Sequence, residues 1–334
     1  MWEDSTDPLS PPPPVSAFYD AARQLWTLSR YADVLAALRE PRLTPQNEDG
    51  ALLPARSEIL NALSPATLAN WRTQLEPLEF NLIDRLPRDR TVDIVQEFAR
   101  PWSLELAVMV TGADPADAKR LGDLARHVSV ATADPSNPVL RSEAAASNRE
   151  LENYFQNSRI PMSGPAFVAL SQTLPCFLAN AWLALIRHPA ELVRLRADTD
   201  LMPRAIEELL RYAGLARSIK RRATASATVG NVAVAKGAGV ILMLASANRD
   251  PEQFSHPDRL DITRPPAGQI ALGAGPHSCV GASLIRMAAA VATGAFVSRF
   301  VAAQEDTSVE WRGGSGFRWA ASLNVLLRRH GHNR

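Results

Sequence analysis

The sequence predicts a mainly α protein with a small β part. Apolar residues recur at helical spacing over 65–87, as at Leu68 and Trp71, and several later segments show the same period. Two short valine-rich segments, 228–234 and 239–244, supply the β signal. Hydrophobic residues make up 46% and charged residues 21% of the 334 residues, which is typical of a globular protein.

The predicted elements follow in order along the chain. Residues 1–15 are acidic and rich in proline and predict a loose N-terminal arm, and residues 16–334 predict a single domain. Strands are predicted at 25–28 and 322–327, and the two valine-rich segments predict a hairpin around Lys236-Gly237. Helices are predicted at 31–39, 65–87, 92–111, 115–130, 140–157, 164–187, 189–197, 203–212 and 280–300.

Residues 248–278 are rich in Pro, Gly, Asp and Arg and predict one long irregular stretch before the last helix. Irregular stretches of this length are uncommon inside a compact domain and are often functional. This stretch is therefore a candidate for a functional segment.

Composition narrows the classes of function. The net charge of +1 gives no reason to expect nucleic acid or a membrane as a partner. Two cysteines, Cys176 and Cys279, predict no disulfide framework and suit a reducing cytoplasm. The N-terminus lacks the basic-then-apolar pattern of a signal peptide, and no apolar run reaches the roughly 18 residues that span a bilayer. We expect a soluble cytoplasmic protein.

The strongest chemical signal lies in residues 272–281, Leu-Gly-Ala-Gly-Pro-His-Ser-Cys-Val-Gly. Glycines permit positive φ and a close approach of the backbone to a ligand. Cys279 stands where a long helix begins, and the N–H groups there stabilise a thiolate. A lone cysteine in such a turn is most often buried and inert. The density of glycine, histidine and cysteine here favours a metal-ligating thiolate instead.

This loop resembles the cysteine motif of the cytochrome P-450 family, F-G-x-G-x-H-x-C-x-G. One position departs from the motif, Leu272, where the family usually has Phe. The matching positions, with those that fit the tail A-x-L-x-R, are Gly273, Gly275, His277, Cys279, Gly281, Ala282, Leu284 and Arg286. The resemblance implies the family's triangular helical prism, haem b as the cofactor, Cys279 as the iron ligand, and Gly273 and Gly281 beside the haem.

Further family positions follow from the resemblance. The buried structural triad falls on Glu208, Arg211 and Arg259. The partners of the haem propionates fall on Arg56, Arg221 and His277, with Arg222 a close rival to Arg221. Arginine suits bidentate pairing with a carboxylate.

The catalytic acid–alcohol pair of the family falls on Gln172 and Thr173, so the alcohol matches and the acid does not. A carboxylate relays protons, whereas an amide only orients water. The chain is also shorter than typical members, and one family helix is missing after residue 157. Residues 126–165 are therefore expected to form an abbreviated lid over the substrate.

Three functions remain open. The first is a monooxygenase that inserts one oxygen atom from dioxygen into a small organic substrate, with electrons from separate ferredoxin and reductase proteins. The second is a peroxide-driven enzyme, or one that rearranges or dehydrates its substrate. The third is a degenerate member that only binds a partner protein, although an intact Cys279 argues against it.

Overall fold

The computed structural model describes residues 9–45, 56–86, 90–133, 137–157, 163–266, 268–305, 309–314 and 316–329. Helices dominate these residues, as predicted. The α-helices are α1 (Tyr31–Arg39), α2 (Arg56–Ala62), α3 (Pro65–Arg85), α4 (Arg100–Thr111), α5 (Ala118–Ala133), α6 (Pro138–Phe155), α7 (Ser163–Val168), α8 (Leu174–Arg187), α9 (Pro189–Ala197), α10 (Met202–Ala213), α11 (Leu244–Ala247) and α12 (Ala282–Arg299).

The strands are short. They are β1 (Phe18–Asp20), β2 (Leu25–Leu28), β3 (Leu43–Pro45), β4 (Thr91–Asp93), β5 (Ile219–Ala223), β6 (Ala227–Val229), β7 (Val232–Val234), β8 (Gly239–Leu242), β9 (Phe300–Glu305), β10 (Trp311–Gly313), β11 (Arg318–Ala320) and β12 (Asn324–Arg329).

Helix α3 shows how local sequence sets an element. The hydroxyl of Ser64 accepts a hydrogen bond from the Thr67 amide at 3.2 Å, and Pro65 occupies the first helical turn. Both features are typical of helix N-termini, because they satisfy or remove amide donors that have no partner inside the helix. The predicted start at residue 65 is confirmed.

The central helix runs from Ser163 to Arg187 and is interrupted by one π-helical turn, Ala169–Thr173. The Leu174 amide donates five residues back, to the Ala169 carbonyl. Pro175 follows and has no N–H, so the regular ladder cannot resume at that residue. The sequence predicts a helix over 164–187 in which Pro175 leaves the Ser171 carbonyl without its helical partner. The structure differs in having a π-helical turn just before that proline. Turns of this kind are frequent at functional sites.

The core surrounds this helix. Trp182 is stacked between Phe98 and Phe296, with ring centroids 5.6 Å and 5.3 Å away. Among the residues described, Ser163–Arg187 is the one helix whose length and composition would allow it to cross a membrane, and 89% of its most apolar stretch is buried inside the protein.

A five-stranded sheet with the order β1-β2-β8-β5-β3 flanks the helices, and its β2 and β8 are parallel. The predicted hairpin is wrong in its pairing. Strand β6 pairs with β7 around Gly230, which has φ +56°, whereas β8 joins the large sheet. The valine-rich segment 227–234 is therefore itself the hairpin, because its glycine can adopt the left-handed conformation of a tight turn.

The described part of the N-terminal arm is not loose. Leu9 is buried, and its carbonyl accepts a hydrogen bond from buried Arg249. The Val15 amide and carbonyl both bond to the hydroxyl of Ser29. Residues 9–15 therefore pack against the domain, and the predicted boundary at residue 15 marks no break in packing. Residues 1–8 lie outside the described part of the chain.

Candidate haem site

A cavity of about 510 Å³ lies between the central helix and the loop that precedes α12. Its walls are mostly apolar and come from α2, α3, the central helix, α12 and Phe317 just before β11. Representative wall residues are Ile59, Leu63, Trp71, Leu170, Phe177 and Phe317. The lining also includes Gly273, His277, Cys279 and Gly281 of the cysteine loop. The cysteine loop and the helix that carries Thr173 therefore line the same cavity.

Glycines set the shape of this loop. Gly275 has φ +69°, and a Cβ atom there would lie 2.5 Å from the Leu38 carbonyl oxygen. Gly273 has φ +74° and lies on the cavity wall. An added Cβ at Gly281 would meet nothing within 4 Å, because this residue borders the open space. The backbone can therefore approach a flat ligand closely.

Cys279 is held at the end of this loop. Its amide donates to the Leu272 carbonyl at 2.8 Å. Burial raises the pKa of the Cys279 thiol, and the Gly281 amide, Arg286 and Arg56 oppose that rise. A metal cation at the sulfur would stabilise the thiolate against the same burial penalty. Cys176, the other cysteine, is buried in α8, its thiol donates to the Gln172 carbonyl, and burial raises its pKa to about 12.

Two of the three predicted propionate partners line the cavity, Arg221 and His277. Arg221 is 8% exposed, and burial lowers its pKa. Its guanidinium donates to the Lys220 carbonyl at 3.0 Å, and no carboxylate of the described residues forms an ion pair with it. The rival Arg222 points outward and is exposed. A buried cation beside a cavity fits an anionic group of a ligand.

Arg56 takes a different position. Its two terminal nitrogens donate to the carbonyl oxygen and to the hydroxyl of Ser278, each at 2.8 Å. Arg56 is not among the residues that line the cavity. Its pairing with a propionate stays a prediction.

Two of the three residues predicted for the triad, Glu208 and Arg211, form an ion pair in the structure. Arg211 Nε lies 2.7 Å from Glu208 Oε2, and both side chains are almost fully buried. The third arginine is Arg264, whose Nε lies 3.1 Å from Glu208 Oε2. Arg259 was the wrong assignment, because its side chain is exposed and only its carbonyl takes part, as an acceptor for Arg211 at 3.1 Å.

The triad joins α10 to the irregular segment that leads to the cysteine loop. Arg211 donates to the carbonyls of Asn248 and Pro257, both at 2.8 Å. Arg264 donates to the Ser255 carbonyl, also at 2.8 Å. Buried charge therefore fixes a segment that has little regular secondary structure.

The predicted catalytic pair is divided by the π-helical turn. Thr173 lines the cavity. Gln172 does not: it is 8% exposed, and its amide nitrogen lies 3.3 Å from the Gly122 carbonyl of α5. Adjacent residues of a helix point in different directions, so one of the pair faces the ligand space and the other faces α5. The structure does not bring Gln172 to the cavity.

Two residues that matter to the site were missed by sequence reasoning. Arg264 lies in a turn where its amide donates to the Asp261 carbonyl. In the sequence, Arg259 is an equally plausible third member of the triad. Ser278 has no signal of its own, since the family motif leaves its position open. Only the folded arrangement shows that it meets Arg56.

These residues fit a haem whose iron would be held by the Cys279 sulfur. The glycine loop leaves room for a flat ring, Cys279 lines the same cavity, and Arg221 and His277 on its wall would suit carboxylates. The fold and the site together define a haem-thiolate protein.

Comparison with known proteins agrees with this class. The family profile described as Cytochrome P450 matches residues 193–313. Cytochrome P450 107B1 of Saccharopolyspora erythraea is 30% identical over 350 aligned positions, which cover 86% of this chain and 85% of the relative. Mycinamicin VIII C21 methyl hydroxylase of Micromonospora griseorubida is 28% identical, and the match covers 87% of each chain.

The solved structure of the cytochrome P450 enzyme CYP109B1 from Bacillus subtilis superposes with a TM-score of 0.83. The superposition covers 93% of this chain and 95% of that structure. Because the two sequences are only 23% identical, the similarity concerns the fold alone. The chain belongs to the cytochrome P450 family. It is therefore an oxidoreductase, a haem-thiolate monooxygenase, and at 334 residues it is shorter than is typical of the family.

Proposed function

We propose that this protein uses haem b to insert one oxygen atom from dioxygen into a small, uncharged, apolar substrate. One observation carries the proposal: Cys279 and Thr173 of the central helix line one cavity whose other wall residues are mostly apolar. A thiolate-ligated haem supplies the iron that activates dioxygen.

Each residue of the site has a proposed role in holding the haem or the substrate. Cys279 ligates the iron, and Gly273 and Gly281 let the backbone lie against the ring. Arg221 and His277 pair with the propionates. Thr173, the last residue of the π-helical turn, would offer its hydroxyl as a hydrogen-bond donor or acceptor inside the cavity. The Glu208–Arg211–Arg264 triad keeps the cysteine loop in position.

The cavity wall favours a neutral apolar substrate. Its basic wall residues, Arg221 and His277, are assigned to the haem propionates in this proposal, and Thr173 is the polar wall residue of the central helix. A charged substrate would lose its hydration against Trp71, Phe177 and Phe317 without a compensating partner. Apolar walls with few polar groups are the usual form of a small-molecule site.

Electrons are proposed to come from a separate ferredoxin-type protein in the cytoplasm. Arg286 lies seven residues after Cys279 on α12; its side chain is 40% exposed and also pairs with Glu207. An acidic group of a partner would compete with Glu207 for this guanidinium.

A peroxide-driven reaction is the second candidate, and the position of Gln172 favours it. Its amide is directed to the Gly122 carbonyl and brings no acid to the cavity. Peroxide carries its own protons and electrons, so it needs less from a proton relay.

The test begins with the purified protein and its Cys279→Ala variant. We expect the reduced, carbon monoxide-bound protein to show the Soret band of a thiolate-ligated haem, and the variant to lack it. Cys176→Ala is the matched control and should keep the band, because Cys176 lies in α8 away from the loop. A wild-type protein that takes up no haem would refute the proposal.

A screen of apolar and charged compounds for a spin-state shift then tests the substrate class. We expect shifts from neutral apolar compounds and none from charged ones. Turnover of a compound found in this way should require a ferredoxin, its reductase and a nicotinamide cofactor. Turnover with peroxide alone would select the second candidate.

A further inference from the structure

A second, smaller cavity lies next to the larger one that Cys279 lines. Its volume is about 20 Å³, which is room for about one particle the size of a water molecule. The N-terminal arm borders it through Leu9 and Pro11, and other lining residues come from α8, α10 and α11. None of its described lining residues is acidic. Its lining includes three arginines and two asparagines, Arg211, Arg217, Arg318, Asn180 and Asn248.

Two extended segments, 215–217 and 316–318, run side by side between the two cavities. The Arg217 amide donates to the Gly316 carbonyl at 2.8 Å, and Ala216 forms a bridge with Phe317. Phe317 lines the larger cavity, whereas the next residue, Arg318, lines the second one. This change of side is expected between neighbours in an extended chain. Ala216 lines both cavities, so only a thin wall separates them.

Asn248 brings a buried hydrogen-bond donor to the second cavity. The residue is 2% exposed, and its Oδ1 accepts a hydrogen bond from the Ile270 amide at 2.9 Å. This bond fixes which end of the side-chain amide is the oxygen, so the other end carries two N–H groups. Its Nδ2 forms no hydrogen bond with any of the described residues. A buried donor without an acceptor costs stability, and a ligand that accepts there removes the cost.

Arg318 brings a positive charge to the same cavity. Its guanidinium lies 5.7 Å from the centroid of the Trp311 ring, and it forms no hydrogen bond or ion pair with the part of the chain that the structure describes. Arg217 is 4% exposed, and its Nη2 donates to the Ser10 carbonyl of the arm at 3.4 Å. The polar groups of this lining are thus rich in donors and in positive charge.

The carboxylates close to the cavity are already paired. Glu208 is shared by Arg211 and Arg264. Asp258 pairs with the buried Arg249, but the Asp258 side chain is 83% exposed and its charge is screened by solvent. Three arginines therefore share two carboxylates, and the charge of the guanidinium over Trp311 is not balanced by either of them.

We propose that the second cavity binds a chloride-sized anion, which accepts hydrogen bonds from Asn248 Nδ2 and from the arginines of the lining. The volume is too small for an oxyanion such as sulfate. A water molecule would accept the same hydrogen bonds but would leave the positive charge uncompensated in a buried place. The anion would also hold the wall that the two cavities share. This site goes beyond the proposed oxygenase function and does not depend on it.

The first test is the unfolding temperature of the purified holoprotein in sodium chloride, with sodium gluconate added to keep the ionic strength constant. Gluconate is too large for the cavity, so it controls for general screening. We expect the Tm to rise by about 2–4 °C between about 1 and about 300 mM chloride and then to level off. Bromide should give the same rise. A Tm that does not respond to either halide would overturn the proposal.

Variants locate the response. Arg318→Gln should weaken the apparent chloride affinity about tenfold or more, because it removes a charged donor. Arg222→Gln, an exposed arginine of β5, removes the same charge outside the cavity and should keep the wild-type response. Equal chloride responses in these two variants would mean that the anion acts elsewhere.

Asn248→Asp tests the site without removing an arginine. The aspartate keeps the acceptor for the Ile270 amide and places a negative charge where the anion is proposed to bind. We expect the chloride response to disappear and the Tm at low chloride to reach at least that of the wild type. A chloride response that survives this substitution would contradict the proposal.

Crystals grown in sodium bromide identify the occupant directly. An anomalous peak within hydrogen-bonding distance of Asn248 Nδ2 supports the proposal, and a water molecule without anomalous signal overturns it. The haem spectrum of the same protein separates this inference from the proposed function. A chain that lacks the thiolate band but keeps the saturable chloride response would refute the oxygenase and support the anion site.

Discussion

Arg264 shares the buried carboxylate of Glu208, with its Nε 3.1 Å from Oε2. The carboxylate is also paired with Arg211, so one acidic group of α10 is held by two arginines. Because Arg264 contacts Glu208 and Arg259 does not, Arg264 is the arginine of the irregular segment that supports the fold.

We expect three unequal effects on the free energy of unfolding. Arg211→Ala should cost about 3–5 kcal/mol, because it leaves a buried charge without its principal partner. Arg264→Ala should cost about 1.5–3 kcal/mol, since Arg211 remains on Glu208. Arg259→Ala should stay within about 0.5 kcal/mol, because only its backbone takes part. Urea unfolding of the three variants measures these values, and an effect of Arg259→Ala equal to that of Arg264→Ala would contradict the assignment.

The triad illustrates what sequence could and could not predict. Glu208 and Arg211 lie three apart on one helix, so their contact follows from helical geometry. Arg259 and Arg264 lie in an irregular segment where no period fixes the direction of a side chain. The left-handed residue His256, with φ +47°, and the turn closed by the Arg264 amide on the Asp261 carbonyl set those directions only in the folded protein.

Elsewhere too, elements set by local sequence were predictable and contacts between distant residues were not. Helices α1 and α9 were predicted to the residue, and Pro189 marks the start of α9 at a position that proline favours. The contact of Arg56 with Ser278 joins residues 222 positions apart and has no local signal. The direction of Gln172 depends on the π-helical turn, which a regular helical period does not predict.

Gln172 gives the second prediction. A carboxylate at this position was expected from the family pattern to improve proton delivery. In the structure the amide nitrogen donates to the Gly122 carbonyl, and Gln172 is 8% exposed. In Gln172→Glu, a carboxylate oxygen would face the Gly122 carbonyl oxygen, and neither can donate a hydrogen bond. We therefore expect a loss of about 1–3 kcal/mol in unfolding free energy at neutral pH.

Electron coupling supplies the second measurement for this variant. The ratio of product formed to electrons consumed should not rise, because residue 172 does not face the cavity. Gln172→Met, which removes the hydrogen bond without adding a charge, is the control and should cost less stability. A gain in coupling with unchanged stability would restore the relay role.

Arg221 gives the third prediction. Arg221→Gln should speed the loss of haem to apomyoglobin about tenfold or more, because a buried charge-assisted bond to a propionate is replaced by a neutral one. Arg222→Gln, one residue away on the same strand and exposed, should leave the rate unchanged. Equal effects in both variants would mean that neither side chain is specific to the cofactor.

The pair formed by Glu207 and Arg286 gives the last prediction, which concerns pH. Burial alone would raise the pKa of Glu207, but hydrogen bonds from Arg286 and Gln269 outweigh it, and the pKa lies below its ordinary value. A lowered pKa in the folded state contributes stability above the unfolded pKa of about 4.3, and this contribution is lost as the pH falls through the folded value. Glu207→Gln should therefore lose about 1 kcal/mol or less at neutral pH.

The difference between Glu207→Gln and the wild type should shrink below about pH 4, where the native carboxylate becomes protonated. Urea unfolding at a series of pH values measures it, with Glu76→Gln as the control. Glu76 is exposed and lies 3.8 Å from Arg72, so its variant should differ little from the wild type at any pH. A difference for Glu207→Gln that stays constant into the acid range would show that the carboxylate charge contributes nothing, and the stabilising contact would then be the hydrogen bond from Gln269.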